Sequence, residues 1–127
     1  MNEPANLYVA VVDDDASLCR SLARLLRAAG FHPVTYLSAE AFLADTKRPQ
    51  LDCLVLDIRL GGMSGIELNE QLASSGSTTP VIYLTAHADP EIKAAALRSP
   101  CAGYLRKTDS GEAVLAAIRK AVHPTAA

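Results

Sequence analysis

The stretch LYVAVVDDDASL, Leu7 to Leu18, runs from an unbroken apolar segment straight into three consecutive aspartates, Asp13, Asp14 and Asp15. An apolar run of strand length, greasy at odd and even positions alike, belongs to a strand buried on both faces, which is the habit of parallel sheets covered by helices. The aspartates are the puzzle. Neighbouring carboxylates raise one another's cost of ionisation, so the triplet needs a cation or a helix end to offset it.

Leu18, Leu22, Leu25, Leu26 and Ala29 then recur at helical spacing until Gly30 can end the helix. The same strand-then-helix alternation repeats along the chain. HPVTYL (His32 to Leu37) is a second strand that Pro33 pushes toward a sheet edge or a strand start, and Ser38 caps a short helix AEAFLAD. LDCLVLDI (Leu51 to Ile58) is the most hydrophobic strand. A glycine-rich loop, RLGGMSG, leads from it into a helix around Ile66 to Ser74. PVIYLTA (Pro80 to Ala86) is a fourth strand, Asp89 and Pro90 open the next helix, and AGYLRK (Ala102 to Lys107) is a fifth strand. Asp109 with Glu112 three residues on reads as a capping-box-like start for a final helix reaching about His123, which Pro124 stops. Five βα units of this kind predict an α/β fold, a doubly wound five-stranded parallel sheet.

Composition narrows the class of protein. With 127 residues, 50% of them hydrophobic, the chain suits one domain, 1–127, with a core over about 7–123. A net charge of −2 without a clustered basic face argues against nucleic-acid binding. The polar MNEPAN start and strand-sized apolar runs give neither a signal peptide nor a membrane span, so a cytoplasmic location is expected. Cys19, Cys53 and Cys101 lack the spacing of a disulfide framework or zinc site and read as small buried hydrophobes in a reducing compartment. The first strand begins a few residues after Met1, which is expected of a native N-terminus.

The polar residues that interrupt the pattern share one level. Asp13 and Asp14 follow the first strand, Asp57 closes the third, Thr85 the fourth and Lys107 the fifth. Carboxyl ends of parallel strands form the edge where ligands bind, so these residues converge there. Asp13, Asp14 and Asp57 then make a nest of hard oxygen ligands suited to Mg²⁺, or Mn²⁺ in its place, with Lys107 as a further positive charge. Singly, each has an ordinary explanation: a helix cap, a turn residue, a strand-end hydroxyl, a solvated charge. Their joint placement is what makes a site, and Asp15 stays a cap. His87, two residues past Thr85, is a candidate for lining it. The three histidines form no metal cluster and no nucleophile–base pair.

From Tyr8 to about Val122 the sequence resembles the receiver domain of two-component response regulators. That family has an acidic pair after the first strand, a phosphoacceptor Asp after the third, Thr or Ser after the fourth, an aromatic in the fifth and Lys at its end. The matching positions are Asp13 and Asp14, Asp57, Thr85, Tyr104 and Lys107. The resemblance implies a flavodoxin-like (βα)5 fold with strand order 2-1-3-4-5. It implies that Asp57 takes a phosphoryl group from a sensor histidine kinase, a phosphotransfer protein or a small acyl phosphate, the domain being a phosphoacceptor that promotes its own phosphorylation and dephosphorylation rather than an enzyme. Asp14 and Asp57 are implied as direct metal ligands, Asp13 through water, and the backbone carbonyl of Arg59 as a further oxygen. Thr85 and Tyr104 are implied as a switch that remodels the face of the last two helices and the fifth strand, where an output domain or a second copy binds. YLSAEAFL and DIRLGGMSGIEL look most like receivers that often carry a helix-turn-helix output domain, and no such segment occurs within this sequence.

Three positions depart from the family pattern. Thr108 stands where proline, joined by a cis bond, usually follows the Lys. A cis bond before Thr costs about 2.5 to 4 kcal/mol, so a trans bond is expected and Lys107 is expected to sit differently. Gly61 replaces a common proline, loosening the loop over Asp57. Pro100 replaces a usual glycine, so the fourth helix should end at or before Ser99. Rival functions fit less well. A flavin or dinucleotide binder needs glycines and free N–H groups where the acidic triplet stands. A haloacid-dehalogenase-type phosphatase resembles D-x-D after a strand, where this chain has DIR. The remaining alternative is a receiver fold that signals by binding, without phosphorylation.

Overall fold

The computed structural model describes residues 7–86 and 89–122. The elements are β1 (Tyr8–Val12), α1 (Ala16–Ala28), β2 (His32–Tyr36), α2 (Ala39–Ala44), β3 (Cys53–Leu56), α3 (Gly65–Ser74), β4 (Val81–Thr85), α4 (Pro90–Arg98), β5 (Gly103–Arg106) and α5 (Gly111–Val122). All neighbouring strands are parallel and lie in the order β2-β1-β3-β4-β5, the expected doubly wound sheet. β2 is an edge strand, where Pro33 removes no interior ladder bond.

Alternating side chains of each strand feed opposite layers. Val9 and Val11, Cys53 and Val55, Ile82 and Leu84 pack against Cys19, Leu22 and Leu26 of α1 and Val114, Leu115 and Ile118 of α5. Ala10 and Val12, Leu54 and Leu56, Val81 and Tyr83 pack against Phe42 of α2, Leu68 of α3 and Ala96 of α4. This two-sided burial is why the strands read as continuous apolar runs. Each fully buried leucine or isoleucine contributes on the order of 1.5–3 kcal/mol relative to exposure.

The helix ends follow local chemistry. Asp15 caps α1, its side chain accepting from the Ser17 and Leu18 N–H groups, and Gly30 beyond the helix takes φ +95°, a left-handed conformation that favours glycine. Ser38 caps α2, and Ser64 with Glu67 forms a reciprocal capping box on α3. α4 ends at Arg98 with Ser99 as its cap, as Pro100 requires.

The start of α5 corrects one expectation. Ser110, not Asp109, is the cap: its Oγ accepts from the Ala113 N–H at 3.1 Å. Asp109 is occupied in a tight turn instead, accepting from the Arg106 N–H at 2.9 Å while its own N–H donates to the Arg106 carbonyl. The cysteines need a smaller correction. Cys19 and Cys53 are buried, and burial pushes the Cys53 thiol up to about 12, but Cys101 is only half-buried. His87 and His123 lie outside the described residues.

Candidate functional site

Strand register brings the polar residues together. Val12 stands opposite Leu56, so the next residues, Asp13 and Asp57, leave the sheet side by side. The pairing runs on one step, with the Asp57 N–H donating to the Val12 carbonyl at 2.9 Å. Thr85 stands opposite Arg106, and the Lys107 N–H donates to the Thr85 carbonyl at 2.8 Å, which aims Lys107 back along the sheet edge.

Lys107 Nζ lies 2.8 Å from Asp13 Oδ2 and 3.0 Å from Asp57 Oδ2. The Lys107–Thr108 bond is trans, as expected, and the lysine reaches both carboxylates. Asp13 Oδ1 accepts from the Asp15 N–H at 2.9 Å, and Asp57 Oδ1 accepts from the Arg59 N–H at 3.2 Å. Asp13, Asp57 and Thr85 are buried, while Asp14 is exposed.

The electrostatics follow from that burial. Burial, with the Asp13 charge adding to it, pushes the Asp57 carboxyl above its ordinary range against the opposing hydrogen bond from Lys107. Burial alone would lower Lys107, but its hydrogen bonds to Asp13 and Asp57 and their charges outweigh that and hold the ammonium above its ordinary range. One ammonium thus serves two buried carboxylates.

The site can accommodate a divalent cation. One carboxylate oxygen from each of Asp13, Asp14 and Asp57 can be chosen so that all lie within 4.8 Å of one another. Such a convergence of hard oxygens suits Mg²⁺, which binds through a few carboxylates and keeps waters.

Two supporting features escaped the sequence reading. Gly65 starts α3 directly over the Asp57 backbone: a Cβ there would run into the Asp57 carbonyl, and its N–H donates to the Ile58 carbonyl at 3.0 Å. The glycine-rich loop was visible in the sequence, but which glycine meets the backbone was not. Asn69, buried on α3, donates through Nδ2 to the Tyr83 hydroxyl and the Pro100 carbonyl, each at 2.9 Å. Tyr104 lies half-buried on β5, its ring centroid 6.3 Å from that of Tyr83, with its hydroxyl buried and without a hydrogen-bond partner among the described residues.

An open parallel sheet with an acidic cluster and a lysine at its carboxyl edge defines a class of α/β ligand-binding domains. Residues 9–119 match the family model of the response regulator receiver domain, and the chain belongs to that family. It is 36% identical over 116 residues to the transcriptional regulatory protein FixJ of Azorhizobium caulinodans, a match that spans 91% of this chain and 55% of that protein. The crystal structure of FixJ-N superposes with a TM-score of 0.85 at 31% identity, covering 100% of this chain and 99% of that one. The response regulator StyR superposes with a TM-score of 0.83 at 41% identity, covering 93% of this chain and 60% of that one. The chain spans about half the length of the curated relatives it matches. No helix among the described residues is long and apolar enough to cross a membrane.

Proposed function

We propose that this domain is a phosphoacceptor in two-component signalling, with Asp57 as the residue that takes the phosphoryl group. The observation that carries the reading is the Lys107 ammonium bridging Asp13 and Asp57 beside Asp14 at the carboxyl edge of the sheet. An Asp57 oxygen attacks the phosphorus of a phosphohistidine on a sensor kinase or phosphotransfer protein. The P–N bond breaks, the imidazole leaves with the electron pair, and an acyl phosphate remains on Asp57.

Phosphoryl transfer spreads negative charge over the equatorial oxygens, so the residues act mainly by position and charge. Lys107 faces that charge and neutralises it. Thr85, at the end of β4, is within the same edge and supplies a hydroxyl for a phosphoryl oxygen. Asp13, Asp14, Asp57 and the Arg59 carbonyl would hold Mg²⁺, or Mn²⁺, which when bound supplies positive charge opposite the transferred group. Binding of the phosphoryl oxygens by Thr85 and Lys107 biases Tyr104 and the α4–β5–α5 face toward a second state, which an output domain or a second copy reads.

Incubation with a phosphorylated sensor kinase or acetyl phosphate in Mg²⁺ should yield a hydroxylamine-labile phosphate on the parent and none on Asp57→Asn. A folded parent that takes no label from either donor leaves the phosphorylation-independent binding module as the better reading.

A further inference from the structure

The middle of the loop that follows Asp57 is held from α2 by a solvent-exposed carboxylate. Glu40, in the first turn of α2, accepts a hydrogen bond from the Met63 N–H at 2.8 Å through Oε2. Gly62 packs against the same group: an ideal Cβ there would lie 2.6 Å from Glu40 Oε2. The loop is already pinned at its base, where Asp57 Oδ1 accepts from Arg59 and the Ile58 carbonyl accepts from Gly65. Ser64 ties its far end to Glu67. Among the described residues, Glu40 holds the stretch between.

That stretch has little stiffness of its own. Gly61 and Gly62 are conformationally permissive, and a Cβ at Gly61 would meet nothing within 4 Å. The Arg59 carbonyl, proposed above as a cation ligand, sits at the start of this segment. An outer group that fixes the backbone behind a ligand raises affinity by limiting the positions the ligand explores. The absence of a side chain at Gly62 is what lets the carboxylate come close enough to act.

We propose that Glu40 is a positioning residue for cation binding and phosphoryl transfer at Asp57, acting through the Met63 N–H and requiring glycine at position 62. The inference rests on the phosphoacceptor reading of Asp57. It places part of the site's precision on α2, an element that contributes no group to the acidic cluster.

The test compares the parent with Glu40→Ala, Glu40→Gln, Gly62→Ala and the Glu40→Ala/Gly62→Ala double variant. Mg²⁺ titration is followed by amide chemical shifts without a phosphodonor, then phosphorylation by acetyl phosphate is timed, with melting curves alongside. Glu40→Ala should weaken Mg²⁺ binding and slow phosphorylation by about tenfold, while Glu40→Gln, which keeps an acceptor oxygen, should stay within about twofold of the parent. Gly62→Ala should reproduce the loss by displacing the carboxylate, and the double variant should be no worse than Glu40→Ala, because both changes remove one contact. Should Glu40→Ala fail to fold, Gly62→Ala carries the comparison. A variant that melts earlier but binds Mg²⁺ like the parent well below its midpoint overturns the proposal, as do fully additive losses in the double variant. A parent that binds Mg²⁺ yet takes no phosphate defeats the phosphoacceptor reading alone, since the titration still decides Glu40.

Discussion

Lys107 and Asp57 stand 50 positions apart in sequence, and in the folded chain the lysine Nζ donates to Asp57 Oδ2 at 3.0 Å. The same ammonium reaches Asp13 at 2.8 Å, so the lysine is the counter-ion that lets two buried carboxylates coexist. Residues proposed to do chemistry are therefore also the residues that determine the local stability of this edge.

Lys107→Ala should show this directly. Removing the ammonium leaves two buried like charges, which we expect to cost about 2 kcal/mol in metal-free buffer, the lysine being partly exposed. Millimolar Mg²⁺ should restore part of the loss in a denaturant titration, and phosphorylation should remain slow. The raised Lys107 value means that its contribution is fully present below the ordinary lysine value of 10.5 and is lost only as pH rises through the folded value, so it is constant across neutral pH.

Asp57→Asn should melt at a higher temperature than the parent at pH 7 in metal-free buffer. The folded value of Asp57 is raised, chiefly by burial, so its contribution is fully present below the unfolded value and lost as pH rises through the folded one. Asparagine stays neutral throughout. The gap between the two melting curves should close as the pH is lowered below about 4, where the unfolded carboxyl also holds its proton.

Asp14→Ala separates metal binding from folding. Asp14 is exposed, so its loss should change stability by less than about 0.5 kcal/mol. Mg²⁺ titration should nevertheless show binding weakened beyond the millimolar range. Unchanged titration would remove Asp14 from the metal site and leave the acidic triplet with the α1 cap of Asp15 and the Asp13–Lys107 ion pair as its roles.

Asn69 and Tyr83 should behave as one unit. Asn69→Leu leaves the Tyr83 hydroxyl and the Pro100 carbonyl without their amide donor, at a cost of about 2 kcal/mol. Adding Tyr83→Phe removes one of the orphaned groups, so the double variant should lose less than the sum of the single changes in a denaturant-based cycle.

The sequence alone determined the alternation of elements, the parallel sheet and the carboxyl-edge placement of Asp13, Asp14, Asp57, Thr85 and Lys107. These are readable because two-sided burial leaves strands uniformly apolar, so a polar residue at a strand's end stands out. Caps were legible where a good capping side chain stands directly before the helical pattern, as at Asp15 and Ser38. At Asp109 and Ser110 two adjacent residues could each cap, and only the folded turn decided, because Asp109 was taken by the Arg106 N–H. The reach of Lys107 to both carboxylates past a trans bond was likewise decided by strand register. The close approach of Gly65 to Asp57, the Glu40 hold on Met63 and the Asn69–Tyr83 bond join segments distant in sequence. Composition and periodicity carry no signal for such contacts, because their partners are chosen only when helices dock on the sheet.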